Sequence, residues 1–459
     1  MSDQENINDK CSKTFCVLPW IHSYISLDGD YEVCCSSEEF ANEILSEGDE
    51  AYNITEGHSL DVVMNSKFMK NVRLQMLDGK WPALCKRCMV DESMGGYSRR
   101  KVENEQYKER IATLINETQQ DGTVELEIES ADYRLGNLCN LKCRMCNPFS
   151  TEKWRKDWTK YYTYNNLETY NKSIDKCSWY NTPNLIGDLK EKIGTIKSLH
   201  FAGGEPLISP RMGELLQLCI DSGKASEIVL SYNTNLTVLP EAVYSLWHHF
   251  KGVKLLCSVD AIGDTNSYIR YPAKWNDIDK NLRFLDENFE KLGLQEIMFC
   301  TLVQALNVLE IDEVCKYIAT FKNIVGLPVF INLFHPEYLR TQVLSKEDKD
   351  FACQKLTVIK EKYSAELPDH YKYLLDNIEV FEIKGAFFFG AASKFDDILR
   401  ESQQAHEVII LRLNQLYVLD ATGIQVLKRF ANYLKEKIQF CHSVNSQKIV
   451  KKLLSTLEF

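Results

Sequence analysis

The chain lacks any uninterrupted apolar run of the length a membrane span requires, so no spanning segment is expected. It also lacks a basic excess: 54 Lys and Arg stand against 65 Asp and Glu, a formal charge of −11. That balance argues against a surface that coats nucleic acid broadly, although a local basic groove is compatible with it. The first residues, Met1-Ser-Asp-Gln-Glu-Asn6, are polar and acidic, unlike a secretory or organellar presequence. A cytoplasmic protein is therefore expected. Composition is otherwise that of a globular chain, and 459 residues suffice for two to four domains. Cysteine is what the sequence has in quantity. Sixteen of them without a secretion signal point to metal binding rather than to a disulfide framework.

Three cysteines stand at i, i+4 and i+7 in Cys139-Asn-Leu-Lys-Cys143-Arg-Met-Cys146. Thiolates are soft ligands suited to iron–sulfur clusters, and three of them hold three corners of a cubane, leaving one iron open to an exogenous ligand. A structural zinc site would want a fourth ligand, and none is obvious near this triplet. About sixty residues on, after the apolar run Leu199-His-Phe-Ala202, comes Gly203-Gly204-Glu205-Pro206. Paired glycines after a strand let main chain approach a neighbour closely.

On these residues the chain resembles the radical S-adenosylmethionine (radical SAM) superfamily, whose motif is CxxxCxxC with a hydrophobic residue before the last cysteine. Met145 fills that place. The resemblance implies that the Gly-Gly-Glu turn presents backbone groups and Glu205 to the methionyl ammonium of the cofactor. It further implies that Ser258 and Arg270 contact the cofactor carboxylate and that Asn235 lies near its polar portion. A guanidinium fork is physically apt for a carboxylate. Asp260 reads as facing substrate or as a helix cap.

Short apolar runs alternate with helical stretches between residues 121 and 370. Candidate strands cover 124–134, 198–201, 227–232, 253–259, 297–303 and 329–333, with amphipathic segments at 212–222 and 276–292 between them. Such alternation predicts βαβ units and a parallel sheet, whose ligands gather at the carboxyl ends of the strands. The fold class expected is α/β: by the resemblance, a partial (β/α)6 barrel. A cysteine-rich segment, 1–120, precedes this core, and a small α/β unit, 371–459, follows it.

The N-terminal segment carries Cys16, twelve residues, Gly29, four residues, Cys34, and then Cys85 and Cys88. This resembles the opening of SPASM and twitch auxiliary-cluster domains, in which the glycine permits a hairpin that brings the flanking cysteines together. The implication is a second [4Fe–4S] cluster on Cys16, Cys34, Cys85 and Cys88, here ahead of the barrel rather than behind it. Cys35 is the alternative to Cys34, and a four-cysteine zinc knuckle has the same ligand count. Cys11, Cys177, Cys219, Cys257, Cys300, Cys315, Cys353 and Cys441 lack partner spacing and read as small apolar residues.

Between residues 154 and 180, Trp154, Trp158, Tyr161, Tyr162, Tyr164, Tyr170, Trp179 and Tyr180 are interleaved with Arg155, Lys156 and Lys160. The pattern reads as packing over the barrel, with a substrate lid as the alternative. The final unit resembles a STAS domain in the phenylalanine-rich run 380–390, the strand 408–413 and Leu419-Asp-Ala-Thr422-Gly423. Thr422 stands where antagonist relatives are phosphorylated at a helix N-terminus. A docking or dimerisation role for this unit is the expectation.

The function these resemblances imply is reductive cleavage of S-adenosylmethionine to a 5′-deoxyadenosyl radical, which abstracts hydrogen from a substrate. A peptide is the expected substrate, with a sugar or nucleotide as the small-molecule alternative. An electron donor such as flavodoxin or ferredoxin is implied as a partner. The alternative from another class is a redox-sensing scaffold that acts through the STAS-like unit.

Overall fold

The computed structural model describes residues 12–37, 43–93, 98–161, 167–324, 328–363, 378–387 and 408–419. The chain divides into two compact units: Met1–Met89 with Ser98–Leu367, and Val90–Tyr97 with Pro368–Phe459. Among the described residues no helix is long and apolar enough to cross a membrane.

The first unit is built on an eight-stranded sheet. In chain order the strands are β1 (His22–Ile25), β2 (Tyr31–Glu32), β3 (Ser130–Arg134), β4 (Ser198–Ala202), β5 (Val229–Thr234), β6 (Gly252–Ser258), β7 (Leu294–Val303) and β8 (Val329–Asn332). Their order in the sheet is β2-β1-β3-β4-β5-β6-β7-β8, and every pair from β1 to β8 is parallel. Strands β3 to β8 are the six of a partial (β/α)6 barrel, each with helical chain between it and the next.

Strand alternation decides what this sheet buries. Leu199 and Phe201, Leu230 and Tyr232, Val253, Leu255 and Cys257, and Ile297 and Phe299 point to one face and are buried. Helices cover that face: Met212–Asp221 buries Met212, Leu215, Leu216 and Cys219, and Trp275–Glu287 buries Ile278, Leu282 and Leu285. These are i, i+3, i+4, i+7 spacings, one apolar stripe per helix. The opposite, inner face of β3, β4 and β5 is polar, carrying Ser130, Asp132, Arg134, His200, Ser231 and Asn233, while that of β6 and β7 is mixed, with Lys254, Leu256, Ser258, Glu296, Met298 and Cys300. Parallel strands apolar on both faces read as continuous hydrophobic runs; β3, β4 and β5 do not.

The cysteine-bearing N-terminal segment supplies β1 and β2, an antiparallel hairpin that extends the barrel sheet beside β3. Gly29 turns it at φ +89°, a conformation L side chains rarely adopt. Arg73 is wholly buried and fastens the segment: Nε donates to the Pro19 carbonyl at 2.9 Å, Nη2 to Met64 at 2.7 Å and Nη1 to Gly122 at 3.1 Å.

The second unit shows two strands, β9 (Ile378–Phe387) and β10 (Val408–Leu419), paired in parallel. They coincide with the extended runs expected there. Thr422 and the Gly423 that follows it lie outside the described residues, as do Cys11 and Cys441.

Candidate iron–sulfur and cofactor site

The register aligns Arg134 with Ala202, Thr234 with Cys257, and Ser258 with Cys300. The segments after β3, β4, β5 and β6 therefore emerge at one end of the sheet. Cys139, Cys143 and Cys146 follow β3, Gly203-Gly204-Glu205 follows β4, Asn235 follows β5, and Ser258 closes β6.

The loop bearing the cysteines is fastened along its length to its neighbours. Leu135 N–H donates to Ala202, Gly204 N–H to Gly136 and Glu205 N–H to the Leu138 carbonyl, at 2.9, 2.8 and 2.8 Å. Lys142 N–H bonds the Tyr271 carbonyl at 2.6 Å and Arg144 N–H that of Ile269 at 2.8 Å. Trp154 Nε1 donates to the Cys143 carbonyl at 2.9 Å, and Lys142 Nζ lies 4.3 Å from its ring centroid. Trp154 and the buried Trp179 are thus packing groups. The side chains of residues 161–170 lie outside the described ones.

The glycines of the turn are needed for contact with protein backbone. A Cβ at Gly204 would stand 2.3 Å from the Leu138 carbonyl oxygen. At Gly203 (φ +117°) it would stand 2.8 Å from that of Gly136. Glu205 is 2% exposed and fully engaged: Oε1 accepts from Thr234 Oγ1 at 2.9 Å and Leu207 N–H at 3.1 Å, and Oε2 from Asn235 N–H at 2.6 Å. Burial raises its carboxyl to about 7, against the pull of these donors.

The three thiols are neighbours. Cys146 N–H donates to the Cys143 carbonyl at 3.2 Å, and the two thiols act on each other, raising Cys143 and lowering Cys146. Burial pushes Cys139 up to about 12. Leu141 N–H points to the Cys139 sulfur at 3.4 Å, and Asn235 Nδ2 lies 3.9 Å from it while donating to Asn140 Oδ1 at 2.9 Å. The buried Arg270 guanidinium acts on all three thiols and on Glu205, and its Nε pairs with Asp260 Oδ2 at 2.8 Å. Met145 packs at the edge of the apolar core. Three soft thiols facing one guanidinium form a donor set that fits an iron–sulfur cluster. Among the described residues no three His, Cys, Asp or Glu side chains converge on a single metal ion, and none of the cysteines is in a disulfide.

Cys16, Cys34, Cys85 and Cys88 line one cavity with Leu18, Met76, Trp81, Arg99 and Arg100. Burial raises Cys16, Cys34 and Cys85, and each is raised further by the charges of its fellow thiols. Cys35 does not line this cavity, and its sulfur takes a hydrogen bond from Arg99 Nη1 at 2.8 Å. The arginines of the cavity wall went unread in the sequence. The basic pair Arg99-Arg100, eleven residues beyond Cys88, is the signal that would have found them.

Residues 133–318 match the family model of the Radical SAM superfamily, and residues 372–459 that of the STAS domain. The chain carries a radical SAM domain followed by a STAS domain. Among solved structures, it is similar to SuiB of Streptococcus suis bound to S-adenosylmethionine: 12% identity over 65% of this chain and 62% of that one, TM-score 0.33. It is similar also to anSMEcpe with bound AdoMet and the Kp18Cys peptide, at 17% identity over 52% and 61%, TM-score 0.34. For SuiB bound to its precursor peptide SuiA the figures are 15%, 74%, 71% and 0.34. The chain spans less than two thirds of the length of the first two. No curated protein matches it.

Proposed function

We propose that this chain is a radical SAM enzyme that generates a 5′-deoxyadenosyl radical and uses it to take hydrogen from a peptide substrate. The observation that carries the reading is the clustering of Cys139, Cys143 and Cys146 beneath Arg270, at the strand ends of a sheet whose core matches the superfamily model. These three cysteines would hold a [4Fe–4S] cluster, which when loaded with S-adenosylmethionine and reduced supplies the radical.

The chain's own residues bind and orient. Arg270 offers a guanidinium to a carboxylate, Asn235 and Ser258 offer polar groups at the ends of β5 and β6, and backbone of the Gly203-Gly204 turn borders the same place. Glu205 anchors that turn to the end of β5 and, when ionised, places a carboxylate close to where a cofactor ammonium would lie. Cys16, Cys34, Cys85 and Cys88 would hold an auxiliary [4Fe–4S] cluster, and a flavodoxin or ferredoxin would donate the electron. The peptide assignment is supported by the resemblance of the N-terminal cysteine spacing to the auxiliary-cluster segments of peptide-maturing enzymes.

The test is anaerobic reconstitution with iron and sulfide, followed by incubation with S-adenosylmethionine and dithionite. Formation of 5′-deoxyadenosine, abolished by Cys143→Ala, is the expected result. A filled cluster site that releases none would overturn the proposal.

A further inference from the structure

The polar inner face of the barrel holds a group of buried atoms whose hydrogen-bonding capacity is unspent. Asp132 and His22 are each 1% exposed. Asp132 accepts from Arg134 Nη2 through Oδ2 at 3.0 Å, while Oδ1 has no hydrogen-bond partner among the described residues. His22 Nδ1 meets Ser130 Oγ at 2.9 Å, and Nε2 has none. Three further buried atoms share that condition: Arg134 Nε, Arg99 Nε and Asn233 Oδ1. Unpaired buried polar atoms are costly and rare in folded proteins, and a cluster of them points to a missing ligand.

Their placement fits a substrate. Register sets Tyr24, Asp132, His200 and Ser231 in one row across β1, β3, β4 and β5. Arg134 and Asn233 stand one inner-face step closer to the cysteine loop, Arg134 as the last residue of β3 and Asn233 two before Asn235. Arg99 is near enough for its charge to act on His22, His200 and Asp132, and it also lines the four-cysteine cavity. The electrostatics add a constraint. Burial pushes His22 down to about 3 and His200 to about 4, so both rings are neutral at pH 7. Asp132 is held below the usual carboxylate value: burial, the largest single influence, opposes its charge, and Arg134, His200, His22 and Arg99 together outweigh it. Cationic N–H donors thus stand beside anionic and amide acceptors, an inventory that an apolar or acceptor-only group would leave half unpaired.

We propose that Asp132, Arg134, Asn233, His22 and Arg99 form a substrate-recognition subsite for a peptide group or carboxamide. Its carbonyl accepts from the arginine N–H groups, and its N–H donates to Asp132 Oδ1 or Asn233 Oδ1. The inference deepens the peptide-modifying reading above, on which it rests for taking the inner face as the substrate side.

The test is ligand-observed NMR on the anaerobically reconstituted full chain. The probes are N-acetylglycinamide and its ester isostere methyl acetylglycolate, which lacks the N–H donors. A site built to hydrogen-bond a donor discriminates strongly against the analogue lacking it. The amide is expected to bind at least about tenfold tighter than the ester, with Asp132→Asn and Asn233→Ala each removing most of that preference. Equal binding of the two probes, or a preference unchanged in both variants, would overturn the subsite. S-adenosylmethionine binding is measured on the same samples. Cofactor binding without amide preference defeats the subsite alone; amide preference without cofactor binding defeats the enzyme reading and leaves the subsite standing.

Discussion

Gly204 and Leu138 touch backbone to backbone: a Cβ on Gly204 would fall 2.3 Å from the Leu138 carbonyl oxygen. The turn after β4 is therefore a wall for the loop that carries the cysteines, and its glycine is required by that contact before any ligand is considered. Gly204→Ala has to displace Leu138, one residue from Cys139. Overpacking of this kind costs about 1–3 kcal/mol, and the displacement falls on the ligand loop. The variant should melt lower and retain less iron at the three-cysteine site. Unchanged iron and melting temperature would show that the loop has slack the contact denies.

Arg270 and Asp260 form an ion pair in which Asp260 is fully buried. Arg270→Gln leaves that carboxylate without its partner, a change that in buried pairs costs about 3–5 kcal/mol. The double variant Arg270→Gln with Asp260→Asn should recover most of the stability. It should not recover affinity for S-adenosylmethionine, because the guanidinium is the proposed carboxylate partner. Denaturant melts and cofactor dialysis on the two variants separate these effects.

Glu205 gives a pH dependence of definite sign. Burial raises its folded-state value from 4.5 to about 7, so the folded protein holds a proton that the unfolded chain has released between those pH values. Its contribution to stability is complete below about pH 4.5 and is lost as pH rises toward 7. The stability difference between wild type and Glu205→Gln should fall across that window. A difference that is flat, or that rises with pH, contradicts the buried environment described for this carboxyl.

Cys85→Ala with Cys88→Ala should remove about one of two [4Fe–4S] clusters and leave the other. Cys35→Ala should change cluster content little, because Cys35 is turned toward Arg99. Iron and sulfide analysis of anaerobically purified protein decides both. Zinc in place of iron in the four-cysteine cavity would favour the zinc knuckle instead.

Periodicity made the barrel legible. Runs such as 198–201, which alternates, and 253–259, which is largely apolar, became β4 and β6 within a residue or two. The run 124–134 looked equally extended, yet β3 begins only at Ser130. Its neighbours β1 and β4 begin opposite that residue, at His22 and Ser198, and a strand needs partners as well as propensity. The short strands β1 and β2 were anticipated only through the hairpin that the resemblance implies at Gly29, because four residues beside a cysteine motif carry too little pattern to register. Spacing anticipated which four N-terminal cysteines gather at one cavity but left Cys34 and Cys35 open; side-chain direction depends on local backbone, and the structure turns Cys34 inward. The inner-face polar group was invisible for another reason. Asp132, Arg134, His200 and Ser231 alternate as a solvated strand face does, yet the fold buries Asp132 and half-buries the other three, which alternation alone does not reveal.

The most direct test of the account uses the Cys85→Ala, Cys88→Ala protein, in which a single cluster is expected. Electron paramagnetic resonance of the dithionite-reduced sample is recorded with and without S-adenosylmethionine. If three cysteines leave one iron open, the cofactor should shift the g values of that cluster, and Arg270→Gln should weaken the concentration dependence of the shift. A spectrum indifferent to saturating cofactor would contradict the open iron and the radical chemistry built on it.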